Sequence, residues 1–243
     1  MKNSYWLGQG IWDSPCRHES AGRTEPPDPG SIPGPATGEN NKQNRPHCGR
    51  FCYTIVVKNC IIIHGGPLTD TPIEPHNLHT LYWHPWTKQK LEKGGISTVV
   101  PPMPNPWNPI YEEWKEEFEK LPVTEESVLI GHSRGVAFLL RWLSETKKSA
   151  HQLVLVAPNL QTESLDPVLQ KFYDFEIDLA ISERVTDIVV FTSENDDVEN
   201  MESAKLLVST LNCRLVNLPT HGHFITEEMG GNEFPELVAE VVN

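Results

Sequence analysis

The stretch Gly131-His132-Ser133-Arg134-Gly135 sets a serine at the centre of a G-x-S-x-G pattern, directly after the apolar run Ser127-Val128-Leu129-Ile130 and before a helical pattern. A serine hydroxyl is a poor nucleophile until a base takes its proton, and the base needs an acid to orient it. Both follow in the chain. After DIVVFTS (187–193) come Glu194-Asn195-Asp196-Asp197, and after RLVNL (214–218) come Pro219-Thr220-His221-Gly222-His223-Phe224. Serine, then acid, then histidine, each after a later strand, is the order that a strand-to-helix nucleophile elbow requires. Spacing alone leaves two candidates at each step: Asp196 or Asp197 for the acid, His221 or His223 for the base.

Attack of a serine on a carbonyl carbon also needs two backbone N–H groups aimed at the developing oxyanion. Arg134, the residue after the serine and first in its helix, supplies one. The other is expected from the loop His64-Gly65-Gly66-Pro67 after the first strand of the main sheet, where glycines let the backbone come close to a substrate oxygen; Gly66 is assigned that N–H. His64, Gly65 and Trp107 are expected to border the substrate. Trp107 lies in a proline-rich loop after a strand, whereas Trp114 falls on the apolar stripe of a helix and is read as core; Trp83 and Trp86 are weaker pocket candidates. His132 inside the elbow is read as packed and hydrogen-bonded rather than as a second base.

The elements that must hold these residues are legible as alternating patterns. Short β-branched runs stand at CIIIHG (60–65), ISTVV (96–100), SVLIG (127–131), LVLVA (153–157), DIVVFTS (187–193) and RLVNL (214–218), with YTIVV (53–57) a further edge strand or a lead-in. Helical stretches are expected over 81–94, 109–121, 134–146, 200–211 and 234–242. Continuously apolar strands alternating with helices specify a mainly parallel, six-stranded doubly wound α/β sheet with its ligand site at the carboxyl ends of the strands. The segment between the fourth and fifth strands has room for one or two short helices. The acidic run EEWKEEFEK (112–120) reads as the solvated face of a helix.

At 243 residues the chain suits one such domain, and 33 Asp and Glu against 20 Lys and Arg give a formal charge of −13. That balance repels phosphates, so neither nucleic acid nor an anionic membrane is an expected partner. No stretch is long and apolar enough to span a bilayer, and MKNSYWLGQGIW lacks the pattern of an export signal, so a cytoplasmic location is expected. Residues 19–47 are rich in proline, glycine and serine with few apolar groups, and residues 1–50 are expected to be disordered or loosely attached to a domain over 51–243. Cys48, Cys52, Cys60 and His64 are spaced too irregularly for a zinc site, and no metal or other cofactor is expected.

With these motifs in view, the chain from about residue 60 to 243 resembles the small α/β-hydrolases grouped with YdeN and retinoblastoma-binding protein 9. The resemblance rests on IIIHGG, WHPWTKQKLEKGGI, PPMPNP, GHSRG, SENDD and HGHF. It implies a compact hydrolase fold with strand order 2-1-3-4-5-6 and a triad of Ser133, Asp196 (the aspartate of an S-x-x-D pattern) and His223 (the histidine of GHF). The family's retinoblastoma-protein contact is attributed to an L-x-C-x-E motif. Here the matching stretch is Leu121-Pro122-Val123-Thr124-Glu125, with valine for the cysteine, so that partner is not expected. Arg134 is also bulkier than the residue expected after the nucleophile. The resulting expectation is a serine hydrolase acting on small carboxylic esters or amides as a monomer or weak homodimer. The alternatives are a proline-iminopeptidase-like aminopeptidase, which HGGP suggests, and a hydrolase fold kept as a protein-binding module.

Overall fold

The computed structural model describes residues 59–67 and 77–242; the N-terminal tail and Tyr53–Val57 lie outside them. Six strands form one sheet: β1 (Asn59–Ile63), β2 (Ser97–Val99), β3 (Ser127–His132), β4 (Ala150–Val156), β5 (Val185–Ser193) and β6 (Arg214–Leu218). Their order is β2-β1-β3-β4-β5-β6, and all five pairings are parallel. The expected order and doubly wound class are those observed.

Alternation along each strand sorts the core into two layers. On one face Ile61, Ile63, Leu129, Leu153, Leu155 and Val190 pack against α2 (Tyr111–Phe118), α3 (Arg134–Thr146) and α6 (Val198–Leu211) through Trp114, Phe118, Phe138, Trp142 and Leu207. On the other, Cys60, Ile62, Val128, Ile130, Val154 and Phe191 meet Leu91 of α1 (His84–Lys93) and Leu237 and Val241 of α8 (Pro235–Val242). Full burial of each such side chain contributes roughly 1.5–3 kcal/mol relative to exposure, so both helix layers are held firmly. Cys60 is thus a small core hydrophobe, its thiol pKa raised by burial.

Helix boundaries differ from the sequence reading where local backbone intervenes. Helix α1 starts at His84 rather than 81 because Tyr82 adopts φ +56°, a left-handed turn incompatible with a helix start. Between β4 and β5 lie two short helices, α4 (Pro167–Tyr173) and α5 (Ile181–Arg184), and a further turn, α7 (Thr226–Met229), follows β6. Among the described residues no helix is long and apolar enough to cross a membrane.

Candidate active site

The carboxyl ends of β1, β3, β5 and β6 bring together four loops. Register explains why: Ile63 pairs with Gly131 across β1 and β3, and Ser193 with Leu218 across β5 and β6, so their following residues emerge at the same edge. Ser133 stands between β3 and α3 with φ +54° and ψ −119°. A non-glycine residue in that region is strained and persists where the surroundings over-determine it. Here the Ser133 N–H donates to the Val156 carbonyl at 2.9 Å, and its own carbonyl accepts from Val136 N–H at 3.0 Å. The strain is what lifts the hydroxyl above the sheet.

Ser133 Oγ lies 2.9 Å from His223 Nε2. On the other side of the ring, Nδ1 lies 3.0 Å from Asp196 Oδ1 and 3.4 Å from Oδ2. A carboxylate only accepts, so Nδ1 carries the hydrogen and Nε2 offers a lone pair to the serine hydroxyl. The Asp196 side chain is 0% exposed, which makes its hydrogen bonds strong in a poorly screened setting. Its Oδ1 also accepts from Asp197 N–H at 2.7 Å and Asn200 Nδ2 at 2.9 Å. Asn200 Nδ2 is 3.0 Å from His223 Nδ1 as well, but two N–H donors face each other there. The hydrogen therefore goes to the carboxylate. Asn200 is not singled out by any sequence pattern; its place four residues after Asp196, at the start of a helix, is the available signal.

The alternative residues stand apart. Asp197 is exposed as the N-cap of α6 and its side chain makes no capping bond. The His221 ring packs on Phe224 and Phe234, with centroids at 5.5 and 6.1 Å.

The loop after β1 lies directly on the serine. A side chain on Gly65 would put its Cβ 2.8 Å from Ser133 Cβ and 3.2 Å from the His132 carbonyl oxygen, so only glycine permits this approach. Among the described residues neither Gly66 N–H nor Arg134 N–H has an acceptor, as two oxyanion donors require. The Arg134 guanidinium arches over Gly66 and donates to Tyr173 Oη on α4 at 3.1 Å and to the Pro106 carbonyl. It ties α4 and the loop at Pro106 to the start of α3 at the rim.

His64 and Trp107 occupy other positions. His64 is buried, with Nδ1 2.8 Å from the Gly65 carbonyl oxygen and Nε2 accepting from Met103 N–H at 3.1 Å. Burial pushes its pKa down to about 4, and its ring borders a separate cavity with Leu78, His79 and Met103. It holds the loop rather than facing the serine. Trp107 is 45% exposed and is not among the residues bordering the cleft at Ser133.

That cleft has a volume of about 550 Å³ and is bordered by Gly66, Ser133, Arg134, Asn159 and His223, with Glu163, Asp197, Glu199 and Glu228 adding four carboxylates. Gln161, Thr162 and Tyr173 border both it and a cavity of about 560 Å³ beneath α4. Among the described residues no cluster of three or more His, Cys, Asp or Glu side chains is placed to hold a metal ion. The arrangement is suited to proton transfer from a hydroxyl followed by attack on an electrophilic carbon.

Comparison with known proteins places this site in a family. The family model described as serine hydrolase matches residues 76–242. YdeN of Bacillus subtilis (strain 168) is 28% identical over 181 residues, or 71% of this chain and 89% of that protein. The crystal structure of the B. subtilis ydeN gene product matches with a TM-score of 0.66 at 24% identity, covering 76% of this chain and 96% of that one. Est1E from Butyrivibrio proteoclasticus matches more distantly, with a TM-score of 0.51 at 17% identity over 77% of this chain and 86% of that one; these two structural likenesses speak to fold. The family match spans most of the chain and includes Ser133, Asp196 and His223, and the chain belongs to the serine hydrolase family, with YdeN among its relatives.

Proposed function

We propose that this chain hydrolyses small carboxylic esters or amides through an acyl-enzyme. The observation that carries the reading is the unbroken hydrogen-bonded series from Ser133 Oγ through the His223 ring to buried Asp196. His223 Nε2 takes the hydroxyl proton as Ser133 Oγ attacks the carbonyl carbon. The tetrahedral oxyanion is met by Gly66 N–H and Arg134 N–H, the second at the start of α3 where the helix dipole favours negative charge. His223 then hands its proton to the leaving oxygen or nitrogen. Water enters, loses a proton to the same nitrogen and attacks the acyl carbon; the bond to Ser133 Oγ breaks, Oγ takes the proton back from His223, and the acid is released. Asp196 stays ionised throughout and holds the imidazole in its useful tautomer.

The four carboxylates around the cleft give the aminopeptidase alternative a specific footing, since they would favour a substrate with a free ammonium group over an anionic one. Comparing an aminoacyl anilide with a neutral ester of similar size separates the two readings.

A fluorophosphonate probe tests the shared chemistry. Only an activated serine reacts with it, so the wild-type chain should label rapidly and Ser133→Ala not at all. A folded wild type that does not label would favour a binding module instead.

A further inference from the structure

The loop that carries His223 is bent on both sides of it. Gly222 (φ +53°) and Phe224 (φ +58°) both adopt left-handed backbone, which is unfavourable for phenylalanine because its Cβ crowds the following carbonyl. Such a turn persists only where neighbouring groups fix it. Two groups do so here. Glu228 on α7 accepts the His223 backbone N–H through Oε2. On the opposite side, His132 Nε2 lies 2.9 Å from the His223 carbonyl oxygen. That carbonyl only accepts, so His132 carries its hydrogen on Nε2 and a lone pair on Nδ1, which has no hydrogen-bond partner among the described residues.

The His132 ring has no freedom to turn away. It is 2% exposed, with Trp83 and His84 at centroid distances of 5.6 Å each and Tyr82 at 6.1 Å, all in edge-to-face contact. The His223 ring stands 5.5 Å away on the remaining side. Burial, reinforced by His223, pushes the His132 pKa down to about 3, so the ring is neutral across the range in which an esterase is assayed and its single hydrogen faces the His223 carbonyl.

We infer that His132 is a positioning residue for the base, its Nε2–H holding the His223 carbonyl and thereby the imidazole opposite Ser133. The inference rests on the reading of Ser133 and His223 given above and extends it to a residue that the reaction itself leaves unused. Its physical content is a shared register. His132 is bonded to Ser133 along the chain and to His223 across the site, so any shift of the elbow carries nucleophile and base together.

The test compares His132→Gln, whose amide nitrogen reaches the place of the imidazole Nε2, with His132→Leu, which fills similar space without a donor. In the full-length chain, kcat and KM on an activated p-nitrophenyl ester are measured with Tm, beside fluorophosphonate labelling of the wild type and Ser133→Ala. His132→Leu should lose roughly 10- to 100-fold in kcat with KM within about twofold, the cost of a misplacement near 1 Å, and His132→Gln should recover most of it. A folded His132→Leu with wild-type kcat overturns the inference, as does a His132→Gln equally impaired. Should His132→Leu not fold, the imidazole nitrogens of wild-type His132 decide by ¹⁵N NMR between about pH 5 and 8. An Nε2–H tautomer throughout supports the role; an Nδ1–H tautomer overturns it. A wild type that does not label overturns the reading of Ser133 and the task of His132 with it, whereas labelling with an unaffected His132→Leu overturns this inference alone.

Discussion

Asn200 and Asp196 form a buried amide–carboxylate pair, with Asn200 Nδ2 2.9 Å from Asp196 Oδ1 and Asn200 Oδ1 accepting from Asn159 Nδ2 at 3.3 Å. The pair links the loop after β4 to the acid, and Asn159 N–H in turn approaches the Ser133 carbonyl at 3.4 Å. A hydrogen bond to a charged group contributes about 1.5–3 kcal/mol, so Asn200→Ala should lower kcat by roughly 10- to 100-fold. KM should change less than kcat, because the hydrogen bonds lost are those to Asp196 and Asn159. Steady-state kinetics on a neutral ester check this; full activity in a folded Asn200→Ala would show that Asp197 N–H alone orients the carboxylate.

Adjacent carboxylates and nearby histidines should separate sharply in kinetics. Asp196→Asn removes the anion beside His223 Nδ1 and lets the ring adopt the wrong tautomer, and a loss of about 10⁴ in kcat is expected. Asp197 faces solvent and His221 packs on phenylalanines, so Asp197→Asn and His221→Gln should stay within about tenfold of wild type. The comparison is made on one ester, with folding checked by circular dichroism. A dead Asp197→Asn beside an active Asp196→Asn would move the acid by one position.

Gly135 lies under the elbow, where a Cβ would strike the Ile63 and His64 carbonyl oxygens. Backbone atoms of a central strand cannot rotate aside as a side chain would. Gly135→Ala should therefore cost about 3 kcal/mol or more, at or beyond the usual upper range of overpacking. Gly231 has open space within 4 Å of where a methyl group would sit and no left-handed φ. It supplies the control: Gly231→Ala should leave the urea midpoint nearly unchanged. Equal midpoints for the two variants would show that β1 yields where the geometry says it cannot.

The parallel doubly wound class was readable because apolar runs alternate with helices, a pattern that parallel crossovers impose, whereas the strand order came with the family resemblance. Spacing also narrowed the acid and base to two candidates each. The partners of those residues were not readable. Asn200 acts through the direction of one amide and His132 through a carbonyl 91 residues away in the chain, and neither distance is encoded in local periodicity. Trp107 shows the same limit from the other side: its loop was located, but the direction of its side chain was not. Arg134 is unexpectedly bulky after the serine, and its reason lies in α4, a helix with no strong pattern of its own, which supplies Tyr173 as a partner for the guanidinium.

Acid should destabilise this fold earlier than carboxylates alone would. Burial holds His64 and His132 neutral, with pKa values down to about 4 and about 3, and holds His84 well below its usual value. In the unfolded chain each takes a proton near pH 6.5, so the unfolded state binds more protons and stability rises with pH. The contribution is complete above about pH 6.5 and is lost as pH falls toward the folded values, at about 1.4 kcal/mol per unit for each ring. The carboxylates whose pKa values are lowered, Asp178, Asp187, Glu112 and Glu145, enter only below their ordinary range near 4. Between pH 7 and 5.5 the three histidines together should therefore cost about 3–4 kcal/mol of unfolding free energy, measured by urea titration. His84 is fully buried, with Nε2 unpartnered among the described residues, so His84→Gln should remove about a third of that loss. A wild-type pH slope in folded His84→Gln would show that its ring accepts a proton inside the native core.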